Sequence, residues 1–148
     1  MIEQFDLDIQ LIFAILNGRV SAAINRQLHR NFRSNGLDIT PEQWTVLIYL
    51  WEKDGVTQQE LCNATFRDKP SMTRLLDNME KLHLVVRISQ ESDRRINLIH
   101  LTKTGRALEN KIRDISSQTL KEALAGIDNK ELAVIQDVLR KVFKNIKD

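Results

Sequence analysis

The side chains best suited to chemistry form a polar group at the start of one predicted helix: Lys69, Pro70, Ser71, Thr73 and Arg74. Small and hydrogen-bonding side chains allow a helix to approach the base edges in the major groove of DNA. A guanidinium can donate two hydrogen bonds to guanine O6 and N7, so we expect Arg74 to read a base directly. Ser71 and Thr73 would bond bases or phosphates, and Lys69 phosphates. The alternative is that these residues are the solvated face of a core helix.

A second polar group lies at the tip of a predicted hairpin. The runs 85–89 and 96–101 alternate or favour β-branched residues, and the wholly polar segment 90–95 separates them. Arg94 and Arg95 belong to this tip. A cation at such a position can enter the narrow minor groove of A·T-rich DNA, where the electrostatic potential is most negative.

The periodicity around these two groups predicts the elements that position them. The polar-faced helix begins after Asp68 and carries one apolar stripe, formed by Met72, Leu75, Leu76, Met79 and Leu82. Upstream, capping boxes at Thr40 and Thr57 begin two more helices, the second of them short. A short helix, a tight connection and a polar-faced helix are the order of a helix-turn-helix, and the hairpin after it makes the motif winged.

Longer helices are predicted on both sides of this motif. Residues 5–33 keep helical spacing without an internal proline, which corresponds to roughly 40 Å at 1.5 Å per residue. Thr102 can cap a helix that runs to about Ala125, and Asp128 begins the last helix. The first helix is longer than its own lobe needs, so a second subunit is the expected partner of its apolar stripe. The last helix is expected to pack against the first helix of its own chain and of that subunit.

We therefore expect one mainly α-helical chain, 1–148, with a small two- or three-stranded antiparallel hairpin. Two lobes are predicted within it. Residues 1–35 and 105–148 would form a helical dimerisation lobe, and residues 36–104 a winged helix-turn-helix lobe that contacts DNA.

The charge is unevenly distributed along the chain. Residues 67–106 hold nine Lys or Arg against five Asp or Glu, whereas residues 1–66 hold five against eight. The basic excess therefore coincides with the predicted DNA-contacting elements, as expected if cations there displace counterions from phosphate. A random scatter of surface charge can also produce an excess of this size, so the charge supports the interpretation without establishing it.

The composition predicts a cytoplasmic protein with no membrane insertion. No apolar run approaches the roughly 20 residues needed to cross a bilayer. The first ten residues carry acids where a secretory signal would carry Lys or Arg, and the single Cys62 cannot form an internal disulfide.

The segment from Asp93 to Thr102 resembles the wing signature of MarR-type transcriptional regulators: an aspartate, any residue, an arginine, five residues, then Leu-Thr. The segment DKPSMTRLLDNMEKLHLV, residues 68–85, is similar to the recognition helix of that family, and the helix order matches over essentially the whole chain. One departure is visible, because many members carry glycine after this helix, where this chain has His83.

The resemblance implies a homodimeric regulator, expected to be a repressor, that binds double-stranded DNA at a pseudo-palindrome with half-sites about 10 bp apart. It also implies that Arg95 enters the minor groove while Asp93 holds it in position. A small aromatic or anionic effector is implied between the two lobes. Four residues are candidates for that crevice, although ordinary packing explains them equally well: Arg26, Trp44, Tyr49 and Trp51.

Other chemistries receive less support. Cys62 lies among apolar residues, which favours a buried structural thiol over a redox sensor. The three histidines lack the spacing of metal ligands, so no metal or cofactor is expected. Phosphate-binding loops and nucleophile motifs are missing from the sequence, so an enzyme is not expected. A winged-helix module that binds another protein instead of DNA is the main alternative.

Overall fold

The computed structural model describes residues 8–148 of the chain. In this range the elements follow in the order α1 (Ile9–Ser34), α2 (Pro41–Glu52), β1 (Val56–Thr57), α3 (Gln58–Thr65), α4 (Lys69–Lys81), β2 (Val85–Ser89), β3 (Asn97–Leu101), α5 (Lys103–Ala107), α6 (Glu109–Ala123) and α7 (Asn129–Ile146). The mainly α-helical class with a small antiparallel sheet is thus confirmed. None of these helices is long and apolar enough to cross a bilayer.

Side-chain caps begin the helices where the sequence predicts them. At α2, Thr40 Oγ1 accepts the Gln43 N–H (3.2 Å) while Gln43 Oε1 accepts the Thr40 N–H (3.0 Å), and Thr57 caps α3 in the same way. Aspartates cap α1, α4 and α7. The predicted start of the first helix at residue 5 lies outside the described residues, and within them α1 begins at Ile9.

The single helix predicted from Thr102 to about Ala125 is wrong, because α5 and α6 are separated at Leu108. Trp51 Nε1 donates to Gly105 O (3.1 Å), the carbonyl oxygen that would accept the Glu109 N–H in an uninterrupted helix. A side chain that enters the ladder in this way breaks a helix. Since this contact joins residues far apart in sequence, helical periodicity did not reveal it.

The sheet has the order β1-β3-β2 and is antiparallel throughout. Strand β2 pairs with β3 over five residues, from Val85 opposite Leu101 to Ser89 opposite Asn97. Strand β3 begins one residue later than the predicted run. The two-residue strand β1 pairs with the other edge of β3 and closes the base of the hairpin against the helices.

The hydrophobic core is formed mainly by α2, α3, α4 and the sheet, and it also takes in Leu28 and Phe32 of α1 and Ile112 of α6. Large apolar side chains elsewhere on α1 and α7 remain exposed: Ile9, Leu11, Ile15, Leu16, Val20, Val134, Ile135, Val138, Leu139, Phe143 and Ile146. None of the 18 residues of α7 is buried. The predicted packing of this helix against α1 of the same chain is therefore not met.

The turn after α4 has the geometry that glycine favours, although its residue is histidine. His83 has φ of +58°. Its N–H donates to Glu80 O (2.9 Å), and the next N–H, of Leu84, donates to Met79 O (3.0 Å), as in a Schellman cap. The substitution of glycine by His83 thus leaves the turn intact and adds backbone strain.

We expect His83→Gly to raise the melting temperature by about 1–4 °C, because glycine adopts the left-handed conformation without strain. The gain is about 0.5–1 kcal/mol after subtraction of the added entropy of the unfolded chain. Thermal unfolding followed by circular dichroism measures this. His83→Ala is the control, since alanine removes the imidazole and keeps the unfavourable φ. An equal gain in both variants would show that the backbone is not the cause.

Candidate nucleic-acid interface

Helices α3 and α4 are joined by a turn of three residues, 66–68. Phe66 ends α3 in the left-handed conformation, with φ of +54°. Asp68 then begins α4, and its Oδ1 accepts the Ser71 N–H (2.8 Å). This backbone hydrogen bond holds the pKa of the Asp68 carboxyl below its usual range. The short turn fixes the direction in which α4 leaves α3.

The apolar face of α4 packs against the core, with Leu75 and Leu82 half-buried at its margin, and this orients the polar face outward. Three side chains lie in the core: Met72, Leu76 and Met79. The predicted contact residues are on the other side of the helix, with Lys69, Pro70 and Arg74 exposed and Ser71 and Thr73 half-buried. Their place on one accessible face fits a recognition helix, while their individual contacts with DNA stay predictions.

Thr73 also has a role within the protein. Gln58 Nε2, from the first turn of α3, donates to Thr73 Oγ1 (2.8 Å). This hydrogen bond ties the bracing helix to the middle of the recognition helix. The sequence pattern predicts only a role on DNA for Thr73 and does not single out Gln58. A contact between side chains of two helices leaves no signal in the local spacing of residues.

The wing tip holds its arginine in a defined direction. Asp93 Oδ1 accepts from the Arg95 backbone N–H (3.0 Å) and from Arg95 Nε (3.1 Å), and Asp93 Oδ2 accepts from Arg95 Nη2 (3.2 Å). The hydrogen bonds from the Arg95 side chain, followed by that from its backbone N–H, hold the pKa of Asp93 below its usual range. The Arg95 side chain nevertheless remains 91% exposed. The guanidinium is therefore pre-oriented and still accessible.

The wing is attached to the recognition helix through Arg87 of β2. Its Nε donates to Glu80 Oε1 (2.7 Å), and its Nη2 donates to Asp77 Oδ1. The side-chain hydrogen bond from Arg87 to Glu80 is the largest of several interactions that raise the pKa of Arg87. Asp77 and Glu80 therefore anchor the wing strand to α4.

The base of the wing is fixed by Asp54. Its Oδ1 accepts the Leu101 N–H (2.8 Å), and its Oδ2 accepts from Arg106 Nη2 (2.7 Å). Gly55 follows with φ of +69°, and a Cβ there would lie 2.8 Å from His100 Cε1. The positive φ, together with this close approach to the His100 side chain, favours glycine at this position.

The recognition helix and the wing contribute to one depression on the surface. It has a volume of about 210 Å³ and is lined by the first turn of α3, by Lys69 and by the wing tip, including Thr57, Gln58, Gln59, Arg95, Ile96 and Asn97. Lys69 and Arg95 therefore border the same concave surface. The two arginine-bearing elements predicted to contact DNA lie on one side of the molecule, as simultaneous binding to adjacent grooves requires.

Cys62 is buried, as the sequence indicated, with 5% of its surface exposed. Burial is the main cause that raises the pKa of its thiol, and the nearby Asp68 carboxylate adds to it. A high thiol pKa disfavours the reactive thiolate. Within residues 8–148, no cluster of His, Cys, Asp or Glu has the arrangement of a metal site.

The four residues considered for an effector crevice do not come together. Trp44 and Tyr49 line one crevice with Ile48 and Arg67. Trp51 is engaged elsewhere, since its indole bonds Gly105 and the Arg113 guanidinium lies 5.3 Å from its ring centroid. Arg26, on the exposed side of α1, does not line this crevice. The cation beside Trp44 and Tyr49 is thus Arg67, which the sequence pattern did not single out.

A bracing helix, a short turn, an exposed polar helix and a hairpin wing closed by a third strand define a winged helix-turn-helix. Comparison with known proteins agrees with this class. The model of the MarR family matches residues 37–96. The HTH-type transcriptional regulator YsmB of Bacillus subtilis strain 168 is 29% identical over 126 residues, which are 85% of this chain and 86% of YsmB.

Solved structures extend the likeness over nearly the whole chain. The transcriptional regulator PA3341 is 33% identical with a TM-score of 0.76, over 91% of this chain and 98% of that protein. AbfR in its reduced form, solved bound to DNA, is 26% identical with a TM-score of 0.78, over 99% of this chain and 98% of AbfR. The chain belongs to the MarR family of transcriptional regulators.

We expect Asp93→Asn to weaken DNA binding by roughly 3- to 10-fold, because the side chain of Arg95 would then have to be ordered upon binding. Electrostatics alone predicts the opposite sign, since this change removes a negative charge near phosphate. Fluorescence anisotropy with an operator duplex distinguishes the two. Glu91→Gln, also at the tip, is the charge-matched control and should bind slightly more tightly. Tighter binding by both variants would contradict the orienting role.

Proposed function

We propose that this protein is a homodimeric transcriptional repressor that binds a pseudo-palindromic double-stranded DNA operator. The observation that carries the proposal is the depression shared by Lys69 of the recognition helix and Arg95 of the wing. Such an arrangement suits a duplex, where a helix in the major groove lies beside a cation in the adjacent minor groove. The DNA-bound form of the relative AbfR supports DNA as the partner.

We assign the roles on DNA by chemistry and position. Arg74 reads a base in the major groove, Ser71 and Thr73 bond bases or phosphates, and Lys69 binds phosphate, with Pro70 keeping the first turn of α4 close to the groove. In the wing, Arg95 enters the minor groove, Arg94 contacts the backbone and Asp93 orients Arg95. The roles in the wing are supported by the side chain of Arg95, which Asp93 orients through hydrogen bonds and which nevertheless remains exposed.

The dimer is supported by the exposed apolar stripes of α1 and α7. Helices in proteins are stabilised mainly by packing of an apolar face, and none of the 18 residues of α7 is buried, so α7 requires a partner that covers its stripe. A second copy presents matching stripes and gives a closed two-fold assembly. We propose residues 1–35 and 105–148 as the dimerisation lobe and 36–104 as the DNA-binding lobe, with the end of α1 and the start of α6 contributing to the DNA-lobe core.

The two-fold axis then fixes the form of the operator. Two recognition helices related by this axis read inverted half-sites whose centres lie about one turn of DNA, roughly 10 bp, apart. We propose repression as the outcome, because a bound dimer excludes other proteins from the occupied promoter without needing any further contact.

We further propose that a small aromatic anion releases the protein from DNA by binding beside α2. Trp44, Ile48 and Tyr49 supply an apolar wall, and Arg67 supplies a cation in the same crevice of about 310 Å³. Apolar walls with a few charged groups are typical of small-molecule sites. Arg67 lies in the turn before α4, so a ligand there would act directly on the recognition helix.

We expect Arg95→Ala to weaken operator binding by roughly 10- to 100-fold, the range for loss of a charge-assisted hydrogen bond, without lowering the melting temperature. The dependence of the association constant on salt concentration should also weaken, because about one counterion fewer is released on binding. Arg94→Ala, which removes the same charge at the neighbouring position, should weaken binding only two- to threefold. Equal effects of both variants would show that Arg95 contributes only charge.

We expect Arg74→Ala to relax specificity at one position of each half-site. A bidentate contact with guanine contributes about 1–3 kcal/mol of discrimination between bases. The variant should therefore bind the selected operator with roughly 5- to 150-fold lower affinity and bind unrelated DNA almost as tightly as the wild type does. Selection of bound fragments followed by sequencing measures this. A uniform loss on all sequences would place Arg74 on phosphate instead. Lack of DNA binding by the wild type would favour a protein-binding module.

A further inference from the structure

The end of α7 returns to the DNA-binding lobe and meets it at an aromatic pair. The rings of Phe143 and Phe66 have centroids 5.0 Å apart and planes at 82°, the edge-to-face arrangement that aromatic side chains prefer. Phe143 belongs to the exposed apolar stripe of α7, and Phe66 belongs to the turn between α3 and α4. The pair therefore joins the helix proposed to dimerise with the turn that directs the recognition helix.

The residue at position 66 is an unfavourable choice for the turn alone. A left-handed residue that ends a helix is normally glycine or asparagine, and a phenylalanine there is strained. Phe66 as a whole is also 65% exposed, so burial in the core of its own lobe does not explain the choice of residue. The contact with Phe143 explains why an aromatic ring is found at position 66, which the geometry of the turn alone does not.

Both rings of the aromatic pair line a cavity. The cavity has a volume of about 600 Å³, and Cys62, Asn63, Arg67, Asp68 and Lys147 contribute to its lining. Arg67 Nε is buried and has no hydrogen-bond partner among residues 8–148. This guanidinium nitrogen therefore does not bond α7, whereas the ring pair joins α7 to the turn across the cavity.

We propose that Phe143 and Phe66 form a strut that sets the orientation of the recognition helix relative to the dimerisation lobe. Asp68, two residues after Phe66, caps α4, so displacement of the ring moves the first turn of that helix. In a dimer the two struts define the distance between the two recognition helices. Phe143 and Phe66 are thus positioning residues, which select half-site spacing without touching DNA. This inference rests on the proposed dimeric DNA-binding function.

The test compares operators whose half-sites are separated by the preferred spacing or by one base pair more or fewer. Wild type should bind the preferred spacing most tightly. Phe143→Ala should bind that operator with roughly 3- to 30-fold lower affinity, and its affinities for the three spacings should differ less than those of the wild type. Its affinity for a duplex with a single half-site should not change, because the recognition helix and the wing stay intact.

Two further variants separate the strut from general effects on stability. Phe66→Gly removes the other ring and relieves the positive φ, so it should lose spacing discrimination without a fall in melting temperature. Leu139→Ala shortens a side chain of the same α7 stripe one turn away. This control should weaken the dimer, measured by sedimentation, and keep the spacing preference once the protein concentration restores the dimer.

Loss of spacing discrimination in Phe143→Ala and Phe66→Gly, but not in Leu139→Ala, supports the strut. If either phenylalanine variant discriminates among the spacings as well as the wild type does, the strut is overturned and the proposed function stands. The same holds if Leu139→Ala loses as much spacing discrimination as the phenylalanine variants. A wild type that sediments as a monomer, or that binds no operator, overturns both proposals.

Discussion

Arg87 holds the recognition helix α4 and the wing of this protein at one angle. Its guanidinium extends from strand β2 and bonds Asp77 and Glu80, which lie on successive turns of α4. The arginine side chain is only 21% exposed, so these charge-assisted bonds are less screened by water than an ordinary surface pair. Because the grooves of a duplex have a fixed offset, a helix and a wing can enter both only if their relative orientation is fixed as well.

Other contacts within the winged helix-turn-helix maintain the same geometry. The Gln58 to Thr73 hydrogen bond fixes α3 against α4, and Asp54 fixes the base of the wing through the Leu101 N–H. Arg95 is then oriented by Asp93 at the far end of the hairpin. Arg95 is free to contact a partner because its supporting bonds use one carboxylate and leave the outer surface of the guanidinium exposed. Pre-orientation of this kind lowers the ordering cost of binding.

Local signals in the sequence were sufficient for much of this architecture. The capping boxes at Thr40 and Thr57 begin helices because their hydrogen bonds join residues only three apart. The hairpin and the exposed wing arginines followed from strand alternation and a polar tip. The contacts that fix the angles could not be predicted in this way. Arg87 meets Glu80 only after the chain turns at His83. Trp51 bonds the carbonyl oxygen of Gly105, 54 residues further along the chain, at the break between α5 and α6.

Chemical protection of a selected operator shows whether α4 and the wing bind one duplex as a rigid unit. Dimethyl sulfate methylates guanine N7 in the major groove and adenine N3 in the minor groove. We expect protection of guanine N7 in each half-site together with protection of adenine N3 at a constant distance from it, arranged symmetrically about the centre. Protection of one groove only, or adenine protection at distances that differ between the half-sites, would contradict it.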